Sequence, residues 1–256
     1  MLLLIAMMTT LSACEEVIDI DLNNADPKLV VDGWIYNSPG PYRIRLTQST
    51  DYFDTTKPNT IENALVIISE NNTVFDTLKM TRPGVYQTQK ILLGKVGATY
   101  ELKVFYNNEV YESIATMKPL AALDSITYRY ESGSIFRDEG FYITTHFQDP
   151  PTIGDYYRWK FFLNDKRYKP NNLLYASDEL YNGNYISFEF RYNFSLNDTV
   201  RVEMFSIEKN MYEYLIGLDE QENTGDLFDT PPGNAQGNIS NGALGYFGAS
   251  AKEVRE

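Results

Sequence analysis

The chain has 256 residues and a formal net charge of -13. This acidic balance argues against nucleic acid as a partner, because phosphate contacts need clustered Lys and Arg. The length allows one large domain or two small ones, and the 20 Tyr and 14 Phe suit pleated, half-buried surfaces, which predicts an all-β protein.

The first 13 residues are predicted to be a lipoprotein signal peptide. Residues 1–10 are apolar or uncharged, too short for the roughly 20 apolar residues of a membrane span but as long as a signal-peptide core. Leu11-Ser12-Ala13-Cys14 matches the bacterial lipobox. The usual basic segment is absent, because no Lys or Arg precedes Lys28. The alternative is a buried hydrophobic strand with a chance cysteine.

Cys14 is therefore expected to carry a covalent lipid, the only added group that the sequence predicts. It is the only cysteine, so no intramolecular disulfide can form. Glu15 and Glu16 follow it. In some Gram-negative bacteria, acidic residues there direct lipoproteins to the outer face of the outer membrane, although they also fit an ordinary solvated pair. The expected location is the outer membrane, lipid-anchored and exposed at the cell surface.

The next part of the chain predicts a tether and then a sandwich. Residues 14–25 form the lipidated tether and a first strand, since apolar and acidic residues alternate from Ile18 to Leu22. Short strands with frequent turn signals predict an Ig-like or transthyretin-like β-sandwich domain over residues 26–120. The predicted strands are 28–36, 42–47, 64–69, 73–78, 82–88, 97–106 and 109–116.

The remainder, residues 121–256, predicts a second β-rich domain with one amphipathic helix near 207–221. Strands are expected at 124–130, 140–147, 155–164, 185–190, 198–205 and 245–251, with long loops at 165–184 and 223–241. Ser206 is expected to cap the helix. Its apolar stripe predicts a face docked on a sheet, or else a partner-binding face, and consists of Ile207, Met211, Tyr214, Leu215 and Leu218.

Residues for catalysis or metal binding are scarce. The single histidine, His146, lies in an aromatic strand without a G-x-S-x-G neighbour and is interpreted as structural or surface. One His and one lipidated Cys exclude the common zinc sites. The run Asp19 to Val30 lacks the glycine and final Glu of a calcium loop. Asp178-Glu179 fits a solvated face at least as well as a cation site. We predict no metal and no enzyme activity.

Several segments share a pattern that carries a family resemblance. They are the lipobox with Glu15, Val17 and Ile18, residues 27–35, 51–53, 84–86 and 156–159, and, as the most specific element, residues 238–247. Together they resemble the outer-membrane lipoprotein family catalogued as domain of unknown function 4249. The resemblance covers essentially the whole mature chain, supplies no catalytic residues, and implies an accessory role beside TonB-dependent transporters of the starch-utilisation type.

Two functional hypotheses follow. In the first, the lipoprotein docks on a transporter barrel and captures cargo, with an interface of at least about 1,000 Å². In the second, it binds a glycan or a peptide alone, in an aromatic-lined pocket. A hydrolase is a remote third. Aromatic side chains in polar loops are the candidate partner or ligand contacts: Tyr52, Phe53, Tyr175 and Tyr181.

Overall fold

The computed structural model describes residues 26–50, 57–168, 173–222 and 234–256. Those residues confirm the all-β prediction, with seventeen strands and a single helix among them. Within the same residues, no helix has both the length and the apolar character needed to cross a membrane. The elements are β1 (Leu29–Tyr36), β2 (Arg43–Gln48), β3 (Leu65–Glu70), β4 (Thr73–Thr77), β5 (Lys79–Arg82), β6 (Val85–Gln87), β7 (Thr99–Tyr106), β8 (Glu109–Thr116), β9 (Leu123–Glu131), β10 (Gly140–Gln148), β11 (Tyr156–Leu163), β12 (Lys166–Tyr168), β13 (Tyr175–Ser177), β14 (Tyr185–Phe194), β15 (Val200–Ile207), α1 (Lys209–Glu222), β16 (Leu244–Ser250) and β17 (Lys252–Arg255).

The N-terminal part is a two-sheet sandwich. The first sheet has the strand order β16-β1-β2-β6-β5 and the second has β4-β3-β7-β8. Strand alternation explains the packing, because every second side chain of β7 is buried. The inner faces of both sheets share one core that includes Val31, Ile44, Ile68 and Leu102. Paired asparagines with positive φ, such as Asn107-Asn108, make the tight hairpin turns.

The C-terminal part packs a third sheet against a fourth. The third sheet has the order β14-β10-β9, and the fourth has β12-β11-β15-β17, with β13 also paired to β11. Their shared core is aromatic, and Phe161 meets Phe190 edge to face with ring centroids 4.6 Å apart. Strands β12 and β13 fall within the predicted loop 165–184, so that part of the loop prediction is wrong. Both strands are too short, at three residues each, to show alternation.

The closing strand β16 belongs to the first sheet. It pairs in parallel with β1, from Val30 opposite Leu244 to Tyr36 opposite Ser250. Phe247 and Ala249 are consequently part of the N-terminal core. The sequence-based boundaries assign this strand to the C-terminal domain, and the structure corrects that assignment. The physical reason is that parallel pairing joins segments far apart in the chain and leaves no local signal in either strand.

Ser206 fastens the two parts together instead of capping the helix. It lies in β15, where its hydroxyl donates to the Lys118 carbonyl (2.8 Å) and accepts from the Ala251 N–H (3.1 Å). Directly after Ala251 the chain returns to the fourth sheet, where β17 pairs with β15. The predicted capping role is wrong, because the strand runs through Ile207 and the helix begins only at Lys209.

The predicted docking of the helix on the sheets is confirmed. Met211 and Leu215 are buried beside Phe205, Ile207 and Tyr246. This third core lies where the outer face of the first sheet meets the fourth sheet. Partly buried rings and one leucine pack around it: Trp34, Tyr36, Tyr156, Leu173, Tyr175, Tyr212 and Tyr214.

Candidate functional site

Most of the residues singled out at the N-terminus and in the first loop lie outside the described residues. These are Cys14, the export residues Glu15 and Glu16, and the candidate contacts Tyr52 and Phe53. Their predicted roles remain predictions.

The other two candidate contacts, Tyr175 and Tyr181, lie in different environments. Tyr175 is in β13, where its hydroxyl donates to Asp219 Oδ2 (3.3 Å) and its ring meets Tyr212 edge to face. Burial, followed by the nearby Asp219 carboxylate, raises the pKa of Tyr175 to about 12. Tyr181 lies in a turn with 45% of its surface exposed. Tyr175 thus packs within the third core, whereas Tyr181 faces solvent.

His146 lies on the outer face of the third sheet between two hydroxyl groups. Its Nε2 is 2.7 Å from Thr127 Oγ1, and its Nδ1 is 2.9 Å from Ser187 Oγ. Its ring stacks on Tyr185. Neither hydrogen-bond partner is a carboxylate, which a catalytic triad uses to orient the imidazole. The geometry agrees with the interpretation of His146 as a structural or surface residue.

Asp178 is buried, which contradicts the interpretation of Asp178-Glu179 as a solvated face. Its side chain is 1% exposed, and both carboxylate oxygens accept from the Gly154 N–H. Asp149 is equally buried and accepts from the Tyr157 hydroxyl and the Gly183 N–H. These carboxylates therefore hold loops in place. In the part of the chain that the structure describes, no cluster of three or more His, Cys, Asp or Glu could hold a metal ion.

A groove of about 440 Å³ lies on the outer face of the first sheet. Strands β1, β2, β5 and β6 form its floor, and the loop from Ser38 to Pro41 forms one wall. The hydroxyl of Tyr42 donates to the carbonyls of Tyr36 and Ser38, which holds that wall in place. The volume falls within the usual range of about 300–1,000 Å³ for small-molecule sites. Its side chains with polar or aromatic groups are Asp32, Trp34, Tyr36, Ser38, Tyr42, Arg43, Arg45 and Arg82.

Strand register brings these side chains into line. Asp32 on β1 lies opposite Arg45 on β2, Arg45 lies opposite Val85 on β6, and Val85 lies opposite Arg82 on β5. Neighbouring strands are about 4.8 Å apart, so the row spans the groove with three charged side chains and one valine. Arg43 has its Nε 3.0 Å from Gln87 Oε1. Among the described residues, neither Arg45 nor Arg82 has an ion pair.

Buried basic side chains also lie against the aromatic side of the groove. Lys160 on β11 is 4.6 Å from the ring centroid of Phe205 and 5.8 Å from that of Trp34, and its ammonium group donates to the Tyr36 hydroxyl (3.5 Å). Burial, together with the nearby charges of Arg158 and Arg167, lowers the pKa of Lys160 to about 7. Tyr36 thus lies near the basic side chains of Lys160, Arg158 and Arg167 and also near the carboxylates of Asp32 and Glu203.

A larger cavity of about 750 Å³ lies between α1 and residues 234–238. Glu213, Glu220 and several amide side chains line it, and no aromatic ring does. Ligand sites typically combine aromatic or apolar surface with a few polar groups. The smaller groove on the first sheet fits that description and is the candidate site.

The sequence alone does not predict this groove. The alternation in Arg43-Ile44-Arg45-Leu46 does place both arginines on the face opposite the core. That signal is local and shows only which face a side chain occupies. It cannot show that Arg82, on another strand, lies in the same row.

The family described as Domain of unknown function (DUF4249) matches residues 15–256. No curated protein matches the chain.

Proposed function

The chain belongs to the DUF4249 family, and we propose that it is a lipid-anchored, non-enzymatic protein of the outer-membrane surface that captures cargo for a TonB-dependent transporter. The observation that carries the proposal is the groove of the first sheet, where Trp34 and Tyr36 lie beside Arg45 and Arg82, neither of which forms an ion pair within the described part of the chain. Such a surface binds and orients a ligand but contains no nucleophile with a positioned base.

The lipid anchor places the groove at the membrane surface. The lipobox that ends at Cys14 supports a lipid anchor. The family match supports it too, because that match starts at the next residue, Glu15. Replacing Cys14 by Ala should release the protein from membranes, because residues 1–10 are too short to span a bilayer. Sedimentation of the Cys14→Ala protein with membranes after a high-salt wash would contradict the anchor.

Surface display depends on Glu15 and Glu16 in this proposal. The double variant Glu15→Ala with Glu16→Ala should stay lipidated but become protected from protease added to intact cells. Equal digestion of variant and wild type would show that both acids are ordinary charges.

The transporter partnership is tested by co-purification from detergent-solubilised outer membranes. The wild-type lipoprotein should recover a TonB-dependent barrel, and the double variant Tyr52→Ala with Phe53→Ala should recover less of it while melting at nearly the same temperature. Aromatic anchors at an interface typically contribute about 2 kcal/mol or more each.

The second candidate function is a stand-alone surface lipoprotein that binds a glycan or a peptide. The groove itself favours this candidate, because it needs no partner to complete it. Ligand binding by the purified protein, with no barrel recovered from wild-type cells, would select it.

A further inference from the structure

We propose that the groove of the first sheet binds an acidic oligosaccharide, with Arg43, Arg45 and Arg82 facing its carboxylates and the rings of Trp34 and Tyr36 alongside the sugar. The inference rests on the proposed function and names the ligand class of the same site. Arginine is the side chain best suited to carboxylates, because its planar guanidinium donates two parallel hydrogen bonds to them.

The distribution of charge is the first argument. The chain has a net charge of -13, with 22 Lys and Arg against 35 Asp and Glu. The groove has the opposite balance, because three arginines and only one aspartate line it. Lys160 and Arg158 lie behind it, with the Arg158 guanidinium 5.9 Å from the ring centroid of Trp34. A local cationic surface on an acidic protein attracts anions and repels cations.

The state of the arginines is the second argument. On the third sheet, by contrast, Arg129 and Arg137 both form ion pairs with Glu189, which holds the pKa of that carboxyl at about 2. Arg45 lies directly opposite Asp32 in the register, yet no ion pair joins them. Its guanidinium donors therefore remain available to a ligand.

The strand order is the third argument, and it favours a sugar over a peptide. Extended peptides commonly bind by adding a strand to an unpaired sheet edge. Strands β1, β2 and β6 each have a neighbour on both sides in the order β16-β1-β2-β6-β5. Recognition over these three strands therefore relies on side chains, which suits sugar carboxylates, hydroxyls and ring faces, and β5 is the edge strand of the floor. The Asp32 carboxylate adds an acceptor for hydroxyl groups.

The test measures binding by calorimetry to the full lipidated protein in detergent. The probes are an oligogalacturonate, the same oligosaccharide with its carboxyls reduced to alcohols, and oligoglutamate. We expect the oligogalacturonate to bind and its carboxyl-reduced form to bind at least about tenfold more weakly, because the charge-assisted hydrogen bonds are lost. Raising the salt concentration should weaken the oligogalacturonate complex, because the arginines are exposed.

The variants are Arg45→Ala and Arg82→Ala, with Arg191→Ala as the matched control. Arg191 is exposed on the third sheet, and its loss changes the net charge equally. Each groove variant should lose about tenfold in affinity for oligogalacturonate, and the control should lose none. If a groove variant melts at a lower temperature, Arg45→Lys serves instead, since it keeps the charge but loses the paired hydrogen bonds.

Three results would overturn the inference. Equal affinity for oligogalacturonate and its carboxyl-reduced form would show that the groove does not recognise the carboxylates. Tighter, arginine-dependent binding of oligoglutamate would assign the groove to an acidic peptide, and the proposed capture function would stand. Absence of binding by all three probes would remove the ligand assignment, while the anchoring and co-purification experiments would still decide the proposed function separately.

Discussion

The side-chain amide of Asn238 makes two hydrogen bonds to the backbone of Phe247. Its Nδ2 donates to the Phe247 carbonyl (2.7 Å), and its Oδ1 accepts from the Phe247 N–H (3.0 Å). The amide thereby takes the place of a neighbouring strand at the free edge of β16. Nearby, the Ser240 N–H donates to the Glu112 carbonyl and its hydroxyl accepts from the Glu112 N–H. The most specific segment of the family resemblance is thus a structural fastening.

Replacing Asn238 by Ala should destabilise the protein by about 1 to 3 kcal/mol, because a partly buried N–H and carbonyl lose their partners. The measurement is the free energy of unfolding in urea. Gln236→Ala is the control, since Gln236 is an exposed amide two residues away. Equal stability of the Asn238 and Gln236 variants would show that water replaces the amide without cost.

The strand β16 also determines which fragment can fold. The sequence predicts a sandwich domain over residues 26–120, but a fragment of that span lacks Phe247 and Ala249 and leaves β1 unpaired on one side. We expect it to show no cooperative unfolding transition. Attaching residues 238–251 through a flexible linker should restore one. A sharp transition in the unextended fragment would show that β16 is dispensable for the N-terminal core.

Lys160 predicts a specific pH dependence of stability. Burial lowers its pKa to about 7 in the folded protein, with Arg158 and Arg167 contributing, whereas an unfolded chain has a value of about 10.4. Between those values the unfolded state binds more protons, so this residue makes stability rise with pH. Below about pH 7 both states hold the proton, and the cost of burying the charge is fully present.

The variant Lys160→Met keeps the aliphatic length and removes the charge. Between about pH 7 and about pH 9, its melting temperature should rise less with pH than that of wild type. At the lower end of that range it should be the more stable of the two. Lys209→Met is the control, because Lys209 is exposed at the start of α1. Parallel pH profiles for Lys160→Met and wild type would contradict the lowered pKa.

Tyr175 and Tyr181 offer a matched comparison. Tyr175→Ala should cost about 1 to 3 kcal/mol of stability, because it removes a ring packed on Tyr212 and the hydrogen bond to Asp219. Tyr181→Ala should change stability by less than about 0.5 kcal/mol, since that side chain is exposed. Chemical denaturation of both variants measures the difference. An equal effect at the two positions would contradict their assignment to core and surface.

The sequence alone determined the local structure of much of the chain. Apolar and polar residues alternate along segments such as residues 43–46 and 99–104, and burying one face of a strand requires that period. The stripe containing Met211 and Leu215 predicted a docked helix for the same reason, at the helical period. These elements were predictable because each pattern lies within one segment.

Only the tertiary structure decided which segments meet. The parallel pairing of β16 with β1 brings Tyr246 opposite Asp32 across more than two hundred residues of chain, and nothing within either strand specifies that neighbour. The groove arises in the same way, because Arg45 and Arg82 share a row only after β2, β6 and β5 have paired in one register. The two-residue repeat of a β-strand determines the face of the sheet on which a side chain lies. The register between strands determines which side chains are its neighbours, and that register depends on the packing of the whole sheet.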